Sequence, residues 1–353
     1  MNLAPDEDLE LIVETARRFG EDALLPHIRS AESARDIDAA TRASFAEIGL
    51  AELEWPEEVG GAGLGCVARV LVNEELGAAD AGAALALDRF GPSLYPVLEM
   101  GGDVARFVET SGRALLASDL DGALSIGSDR INGSVPWVPA SEADVVVVLA
   151  GDQAAVLRNG FTIEGVRGAG MRAAGAGRLR IEDAKPDELI SSAAGAGRSR
   201  ARARLYVASL LLGVMRAACD FSREYARERQ AFGRPIAHHQ ALAFLIADMQ
   251  MSLDGCRLMV REAAWRVDAG LPAEGAAASA LAECIEASRL IGPNGVQILG
   301  GHGFMADYPV EKHMREARAL GLWLGGFDAA IEESGRLLCA SDSPLDIGVG
   351  GVL

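Results

Sequence analysis

The sequence predicts an α+β protein in which two helical regions flank a small β-rich region. Apolar residues recur at helical spacing in the first 110 residues, as at Leu9, Ile12, Ala16 and Phe19. The middle of the chain has short apolar runs such as residues 144–150, separated by glycine, serine and asparagine, which is typical of strands and turns. Long apolar stripes then return towards the C-terminus. We expect an N-terminal helical domain over residues 1–112, a β-barrel or sandwich domain over 113–193, and a four-helix bundle over 194–353.

Composition narrows the range of partners. The 353 residues include 33 lysines and arginines against 51 aspartates and glutamates, a net charge of −18, and half of the residues are hydrophobic. A chain of this length and apolar content can bury a large core. Nucleic acids and anionic membranes attract clustered positive charge, so we expect neither as a partner.

The cysteines and the N-terminus favour a cytoplasmic location. The acidic, amphipathic N-terminus is unlike a secretory signal, and no uncharged apolar stretch approaches the roughly 20 residues that cross a bilayer. The cysteines are scattered without metal-ligand spacing, so we predict reduced core thiols and no metal site. They are Cys66, Cys219, Cys256, Cys284 and Cys339.

Several charged positions have simple structural interpretations. Glu74 and Glu75 are adjacent on a predicted helix, and we expect them on a solvated face. The glycine- and alanine-rich segment 191–197 is typical of a linker. The arginines that follow it fan around a helix axis and indicate a solvated helix start more than a CoA-phosphate site; they are Arg198, Arg200, Arg202 and Arg204.

A group of ligand-type residues lies between two predicted helices. One helical run is predicted to end at Phe232 and Gly233, the chain turns at Pro235, and an apolar helix restarts near Gln240. Arg229 and Phe232 would then share a helix–helix corner. An arginine fork pairs with phosphate and an aromatic ring lies against a heterocycle, so this corner suits an anionic, planar ligand. Alternatively, Arg229 neutralises carbonyls at the helix C-terminus.

Two ordered blocks of the sequence resemble the acyl-CoA dehydrogenase family. The first is RQAFG at residues 229–233, followed by Pro235 and Gln240. The second is QILGGHGF at residues 297–304, followed by YPVEK at residues 308–312. The resemblance covers nearly the whole chain. It implies FAD as the cofactor, an acyl-CoA thioester as the substrate and an electron-transfer flavoprotein as the electron acceptor.

The resemblance also implies roles for individual residues. In tetramers of the family, both blocks reach across an interface to the adenosine diphosphate half of a neighbour's FAD, and a tryptophan lies by the flavin ring. A tight turn at Gly300 and Gly301, and a half-buried place for Trp137 on a sheet edge, are the structural alternatives. The implied FAD contacts are Arg229, Phe232, Gln240, Gln297, Gly300, Gly301 and Trp137.

The catalytic base of the family has no counterpart in this chain. Family members remove a proton next to the thioester carbonyl with a glutamate, and the pattern puts Leu324 at that position. Leucine cannot accept a proton. The base position that some members use instead falls near Ala203. Asp328 and Glu332 lie one and two helical turns beyond Leu324, and they remain alternatives.

The part of the chain that would hold a flavin of its own also departs from the family. Where the family has a hydroxyl-rich loop that touches the flavin, this sequence has SDLDG at residues 118–122. Where a threonine normally follows the tryptophan, Pro139 offers neither an N–H nor a hydroxyl. We predict that this subunit's own FAD cradle is degraded.

These departures lead to a hypothesis about assembly. The chain keeps the blocks that serve a neighbour and lacks those that serve itself, so it resembles the non-catalytic subunit of an actinobacterial two-chain acyl-CoA dehydrogenase. Such enzymes act on bulky CoA thioesters such as steroid side chains. A homologous partner with the glutamate would complete a dimer of dimers. The alternatives are a self-sufficient homotetramer with a relocated base, and a flavin-free scaffold that binds CoA thioesters.

Overall fold

The computed structural model describes residues 5–118, 122–127 and 129–340, and it confirms the predicted α+β class. Helices form both ends of the described chain and strands form its middle. The helices are α1 (Glu7–Phe19), α2 (Ile28–Ala34), α3 (Ala39–Glu47), α4 (Cys66–Leu87), α5 (Leu94–Met100), α6 (Val104–Thr110), α7 (Ala193–Glu228), α8 (Gln240–Asp268), α9 (Glu274–Leu299), α10 (Val310–Leu320) and α11 (Gly326–Ala340). The strands are β1 (Ala114–Ser118), β2 (Leu124–Ile126), β3 (Ile131–Val138), β4 (Val145–Ala150), β5 (Gln153–Leu157), β6 (Phe161–Gly165), β7 (Gly177–Ala184), β8 (Glu188–Ser191), β9 (Gln230–Ala231) and β10 (Arg234–Pro235).

Polar caps set where several helices begin. Asp6 caps α1 and Asp38 caps α3, each through a hydrogen bond that its carboxylate accepts from a backbone N–H. Ser192 caps α7 in the same way, with Gly195 as the donor. The segment 191–197, which we expected to be a linker, therefore contains the cap and the first residues of α7. The cap and the burial of this end of α7 offset the poor helix propensity of glycine.

Strands β1 to β8 form two four-stranded sheets. One has the order β1-β4-β5-β8, with β1 parallel to β4, and the other has the antiparallel order β2-β3-β7-β6. Strand β4 is buried on both faces, because its alternate side chains enter two different hydrophobic clusters. One cluster lies between the sheets, and the other joins the β region to the helices.

Helix α7 is the centre of the C-terminal bundle. It packs against α4 of the N-terminal region and against α8, α9 and α10, while α11 packs on α9. By length and composition α7 could cross a membrane, but 78% of its apolar window is buried inside the fold, which is typical of a core helix. Four cysteines are buried free thiols as predicted, whereas Cys339, near the end of α11, is exposed.

Two predictions of solvated charge are wrong. Glu74 is only 3% exposed, because arginines from α7 and α8 cover it; the Nε of Arg257 donates to Glu74 Oε1 at 2.9 Å, and Arg216 lies nearby. Arg202 of α7 is buried as well, and its Nη2 donates to Glu54 Oε1 at 2.7 Å. Buried charges of this kind persist only when they are paired, and the partners are far away in sequence.

A buried triad joins the N-terminal helices to α10. Helix α4 kinks at Asp80, whose backbone leaves the helical conformation (φ −163°, ψ 104°). The Nζ of Lys312 lies 3.0 Å from Asp80 Oδ1 and also binds Glu316, one helical turn further along α10. Burial raises the pKa of Glu316 to about 7, although the charge of Lys312 acts in the opposite direction. The triad contains two carboxylates and one amine, so one carboxylate is poised to take up a proton.

The titration of Glu316 should make the fold less stable as pH rises. Its folded-state pKa of about 7 lies above the ordinary 4.5, so the folded chain binds a proton more tightly than the unfolded chain between these values. We expect the wild type to lose about 2 kcal/mol relative to Glu316→Gln between pH 5 and pH 8. Urea unfolding of both proteins at several pH values measures this difference. Parallel stability profiles for the two proteins would contradict the prediction.

Candidate functional site

Leu324 lines a mostly apolar pocket of about 320 Å³. Its walls come from β1, from β3 and from the turn between α10 and α11, and they include Ser118, Ser134, Trp137, Trp323 and Leu324. Among the described residues that line it, none has a titratable side chain. The described walls therefore supply no group that could accept a proton from a substrate carbon.

Leu324 is held in an unusual backbone conformation. It adopts the left-handed region (φ 52°, ψ 34°), and Gly325 and Gly326 after it also have positive φ. Its side chain is 8% exposed and forms part of the hydrophobic core. A leucine in the left-handed region costs about 1–2 kcal/mol. The turn thus directs a side chain at the pocket even though that side chain is inert.

Trp137 lies in the same pocket as Leu324. Trp137 is half-buried near the end of β3, beyond Ile131–Gly133, the part of β3 that pairs with β2. The register of β3 against β7 shifts between Val135 and Val138, which leaves Trp137 at a bulge. The predicted weak cradle at residues 118–122 lies partly outside the described residues, since residues 119–121 are not among them.

The interior behind Trp323 is filled. The cavity there has a volume of only about 20 Å³ and is lined by Gly91, Pro139 and Trp323 among others. The hydroxyl of Tyr206 donates at 2.9 Å to Oδ2 of Asp88, a residue of this lining, and lies close to Gly91. A space of this size holds about one water molecule.

None of the three alternative base positions lines the pocket. Ala203, the second possible base position, is buried in α7 and does not line the pocket. Asp328 and Glu332 are exposed on α11, and neither lines the pocket. The alternative base positions predicted from the sequence therefore lie outside this pocket.

The first family block forms a protruding hairpin rather than the end of a helix. Helix α7 ends at Glu228, and β9 and β10 pair antiparallel around a two-residue turn of Phe232 and Gly233. Both turn residues have positive φ, 53° and 77°. This pair of angles is typical of a type I′ turn, in which a phenylalanine is strained. The side chain of Phe232 is 94% exposed.

Arg229 and Gln240 flank this hairpin. The guanidinium of Arg229 is exposed and forms no hydrogen bond or ion pair with any described residue, so the alternative role at helix carbonyls is not observed. Gln240 is the first residue of α8, as predicted. The imidazole of His239 lies 3.2 Å from the carbonyl oxygen of Ala231, which keeps the hairpin beside the start of α8.

The second family block lies next to the first. Gln297 is exposed in the last turn of α9, and Gly300 ends that helix at φ 59° and ψ −130°, a conformation that favours glycine. Gly300 and Gly301 thus do form a tight turn. The hydroxyl of Tyr225, one turn before Arg229, lies 2.8 Å from Nδ1 of His302. This contact joins the second block to the helical turn before the first; Tyr225 did not stand out in the sequence, and His302 was part of the second block without a role of its own.

The chain therefore separates the implied FAD residues into two places. Trp137 lies in the pocket of Leu324, and the other six residues lie on the surface outside that pocket. The surface set fits the adenosine diphosphate part of FAD, because it offers an unpaired guanidinium and an exposed ring. The pocket fits a flavin ring less well, because its described walls are mostly apolar and supply no cation.

The left-handed backbone of Leu324 leads to a test of the turn. Both Leu324→Gly and Leu324→Ala remove the side chain, but only glycine relieves the positive φ. We expect the glycine variant to be more stable than the alanine variant by about 1 kcal/mol in urea unfolding.

In a regular helix we expect the opposite order of stability, with the alanine variant more stable than the glycine variant. Leu281 is fully buried in the middle of α9, where alanine is favoured over glycine by about 1 kcal/mol, so the same pair of substitutions there serves as the control. A more stable alanine variant at both positions would show that Leu324 is not strained.

The chain matches two domain models of one family and also resembles known proteins over most of its length. The model described as "Acyl-CoA dehydrogenase, N-terminal domain" matches residues 6–105, and "Acyl-CoA dehydrogenase, C-terminal domain" matches residues 198–333. Together they span about two thirds of the chain. The short-chain specific acyl-CoA dehydrogenase of human mitochondria is 28% identical over 363 residues, which cover 90% of this chain and 87% of that protein.

Solved structures share the fold over nearly the full length. Butyryl-CoA dehydrogenase from Megasphaera elsdenii superposes with a TM-score of 0.84 at 23% identity, covering 96% of this chain and 100% of that one. PigA with FAD and proline superposes with a TM-score of 0.83 at 21% identity, covering 96% and 99%. FAD is the cofactor of the family whose domains match this chain. With both of its helical regions matched by that family, this chain belongs to the acyl-CoA dehydrogenases.

Proposed function

We propose that this chain is the non-catalytic subunit of a two-chain, FAD-dependent acyl-CoA dehydrogenase. One observation carries the proposal: the pocket of Leu324 has no proton acceptor among its described walls, while the unpaired Arg229 is displayed outside that pocket. A homologous partner supplies the glutamate and the pocket in which the reaction takes place. This chain completes the FAD site of that partner.

The chemistry of the family requires a base. Acyl-CoA dehydrogenation removes a proton from the carbon next to the thioester carbonyl and transfers hydride from the adjacent carbon to bound FAD. A carboxylate in a dry pocket suits the first step, because burial raises its pKa towards that of the acidified carbon. Leu324 lines its pocket with an apolar side chain that cannot take the proton.

The filled interior supports the same conclusion. An acyl chain must enter the protein beside the reacting carbons, and a hydrocarbon tail needs a continuous apolar cavity. Behind Trp323 there is room for about one water molecule. The space around it is occupied by Tyr206 and by the buried charges of Asp88, Arg69 and Glu54.

The surface of the chain supports association with a partner. Arg229 and Phe232 are both exposed, and the strained turn at Phe232 is a cost that a contact with a partner's FAD would offset. Helix α8 also has apolar side chains at seven-residue spacing on its outer face: Phe244, Met251 and Leu258, which are 60%, 65% and 57% exposed. An exposed apolar stripe of this kind marks a protein interface.

The wider assignment follows from the resemblance to actinobacterial two-chain enzymes. We place the protein in a cytoplasmic heterotetramer that acts on a bulky acyl-CoA, such as a steroid side-chain or fatty acyl thioester. An electron-transfer flavoprotein is the proposed electron acceptor.

A self-sufficient homotetramer is the second candidate. It is favoured by Asp119 and Asp121, which directly follow the pocket residue Ser118 in sequence and lie outside the described residues. The two candidates differ in flavin content. Native mass and flavin absorbance per chain are measured for the chain purified alone and for the chain co-expressed with its glutamate-bearing homologue.

Flavin absorbance and native mass distinguish the two candidate functions. A colourless chain that becomes yellow and tetrameric only with the homologue supports the heteromer. Stoichiometric flavin in a homotetramer of this chain alone supports the second candidate, and a colourless protein in both preparations favours a flavin-free scaffold.

Removing Arg229 should weaken FAD binding by the heteromer. A hydrogen bond between charged groups contributes about 1.5–3 kcal/mol, so we expect Arg229→Ala to raise the Kd for FAD about ten- to hundredfold. The matched control is Arg227→Ala, two residues earlier, because Arg227 is equally exposed but pairs with Glu224 at 3.0 Å. Titration of the flavin-stripped complex with FAD gives both constants. Equal constants for Arg229→Ala and wild type, in an intact heteromer, would reject the proposed role.

Restoring the glutamate should not restore activity. In Leu324→Glu the new carboxylate enters a mostly apolar pocket without a described cation. We expect dehydrogenation by this variant alone to remain below about a thousandth of the heteromer's rate, because substrate is not held in a reactive geometry. Acyl-CoA oxidation with an artificial electron acceptor measures it.

The double variant Asp119→Asn/Asp121→Asn tests the competing base. Any activity that the unaltered chain shows alone, and that this double variant loses, would favour the self-sufficient enzyme. Strong activity of Leu324→Glu would show that only the base had been lost.

A further inference from the structure

We infer that Tyr225 and His302 are positioning residues that hold the two FAD-facing blocks of this chain together. The inference rests on the proposed function, because it concerns the surface that the chain presents to a partner's FAD. Its central observation is the 2.8 Å contact between the hydroxyl of Tyr225 and Nδ1 of His302. These residues are 77 positions apart in sequence; His302 belongs to the second block, and Tyr225 lies one helical turn before the first.

Tyr225 acts on the first block through its backbone. Its carbonyl oxygen accepts the N–H of Arg229 at 2.8 Å, and this bond closes the last turn of α7. The position of the Arg229 backbone is thus tied to that of Tyr225. The side chain of Tyr225 extends from the same turn to His302, so one residue contacts both blocks.

His302 acts on the second block through its position in the chain. It directly follows Gly300 and Gly301, and a Cβ at either glycine would meet nothing within 4 Å, so no neighbouring element packs against that side of the turn. Gly303, on the other side of His302, lies so close to α9 that a Cβ there would be 2.3 Å from the carbonyl oxygen of Val296. His302 and Gly303 therefore determine where the glycine turn lies.

An aromatic cluster holds the imidazole in place. The ring of His302 stacks on Tyr308 with centroids 5.1 Å apart and an angle of 12° between the planes. Tyr225 and Phe221 each meet Tyr308 edge-on, at 6.1 and 6.3 Å. Rings in stacked and edge-to-face contact of this kind have few alternative orientations. The Nδ1 of His302 is accordingly fixed towards Tyr225.

Arg29 anchors the cluster to the N-terminal helices. Its Nε donates to the carbonyl oxygen of Ala306 at 2.9 Å, and its Nη2 donates to that of Tyr308 at 2.9 Å. Its Nη1 is paired with Glu32 and Glu311. The second block is thereby fixed to the body of the protein, and the Tyr225–His302 contact transmits that fixed position to the end of α7.

Breaking the contact should weaken FAD binding without unfolding the subunit. Tyr225→Phe keeps the ring and removes only the hydroxyl, and His302→Phe keeps a stacking ring and removes the nitrogen. One hydrogen bond of this kind corresponds to about a three- to tenfold change in Kd, and we expect that loss for FAD in either variant. His302→Gln retains a polar side chain that can pair with the Tyr225 hydroxyl, so it should recover most of the affinity.

The experiment uses the heteromer formed with the glutamate-bearing homologue. The flavin-stripped complex is titrated with FAD for the wild type, Tyr225→Phe, His302→Phe, His302→Gln and the double variant Tyr225→Phe/His302→Phe. Native mass and melting temperature are measured on the same samples. We expect intact complexes, weaker FAD binding in both phenylalanine variants, and no further loss in the double variant, because both changes remove one shared interaction.

The outcomes separate this inference from the proposed function. Wild-type FAD affinity in Tyr225→Phe and His302→Phe, together with weak binding in Arg229→Ala, overturns the positioning role and leaves the proposed function standing. Additive losses in the double variant, or no recovery in His302→Gln, also overturn it, since the two residues would then act separately. Unchanged affinity in Arg229→Ala removes the proposed function and this inference with it.

Discussion

The buried carboxylate of Glu54 holds the N-terminal helices on α7. Its oxygens accept hydrogen bonds from Arg69 Nε at 2.9 Å, from Arg202 Nη2 at 2.7 Å and from the Tyr95 hydroxyl at 2.7 Å. Burial alone would raise the pKa of Glu54, but the charges of Arg202 and Arg69 lower it, so the carboxylate stays ionised. Without it, two arginines would lose a partner in the interior. The network ties α4 and α5 to α7, the helix that ends at Glu228 just before Arg229.

Much of the secondary structure could be predicted from the sequence, because the spacing of apolar residues differs between helices and strands. A helix was predicted to restart near Gln240, and α8 begins at Gln240 and ends at Asp268. The hairpin after α7 was missed. A turn of Phe232 and Gly233 lacks the asparagine or aspartate that usually signals a type I′ turn, and nothing local indicates a phenylalanine at positive φ. The spacing of apolar residues along the sequence carries no information about contacts that a segment makes with another molecule.

The candidate site was predictable residue by residue but not as an arrangement. Resemblance to a family indicated Arg229, Gly300 and Leu324, because such motifs carry position along the chain. It gave no reason to single out Tyr225, and it included His302 in the second block without a role, because their importance lies in a contact across 77 residues. The burial of Glu74 and Arg202 was missed for the same reason. Amphipathic spacing shows which face of a helix is polar, but only the tertiary structure shows what covers that face.

The burial of Lys312 has a practical consequence for labelling. The chain contains only two lysines, and Lys312 is enclosed in its triad with Asp80 and Glu316. The other, Lys185, is exposed in the connection between β7 and β8. Among the lysines, amine-acylating reagents will therefore mark Lys185 in the folded protein, and at a pH well above 8 the N-terminal amine reacts as well. A fluorophore placed there reports distances between subunits without any engineered residue.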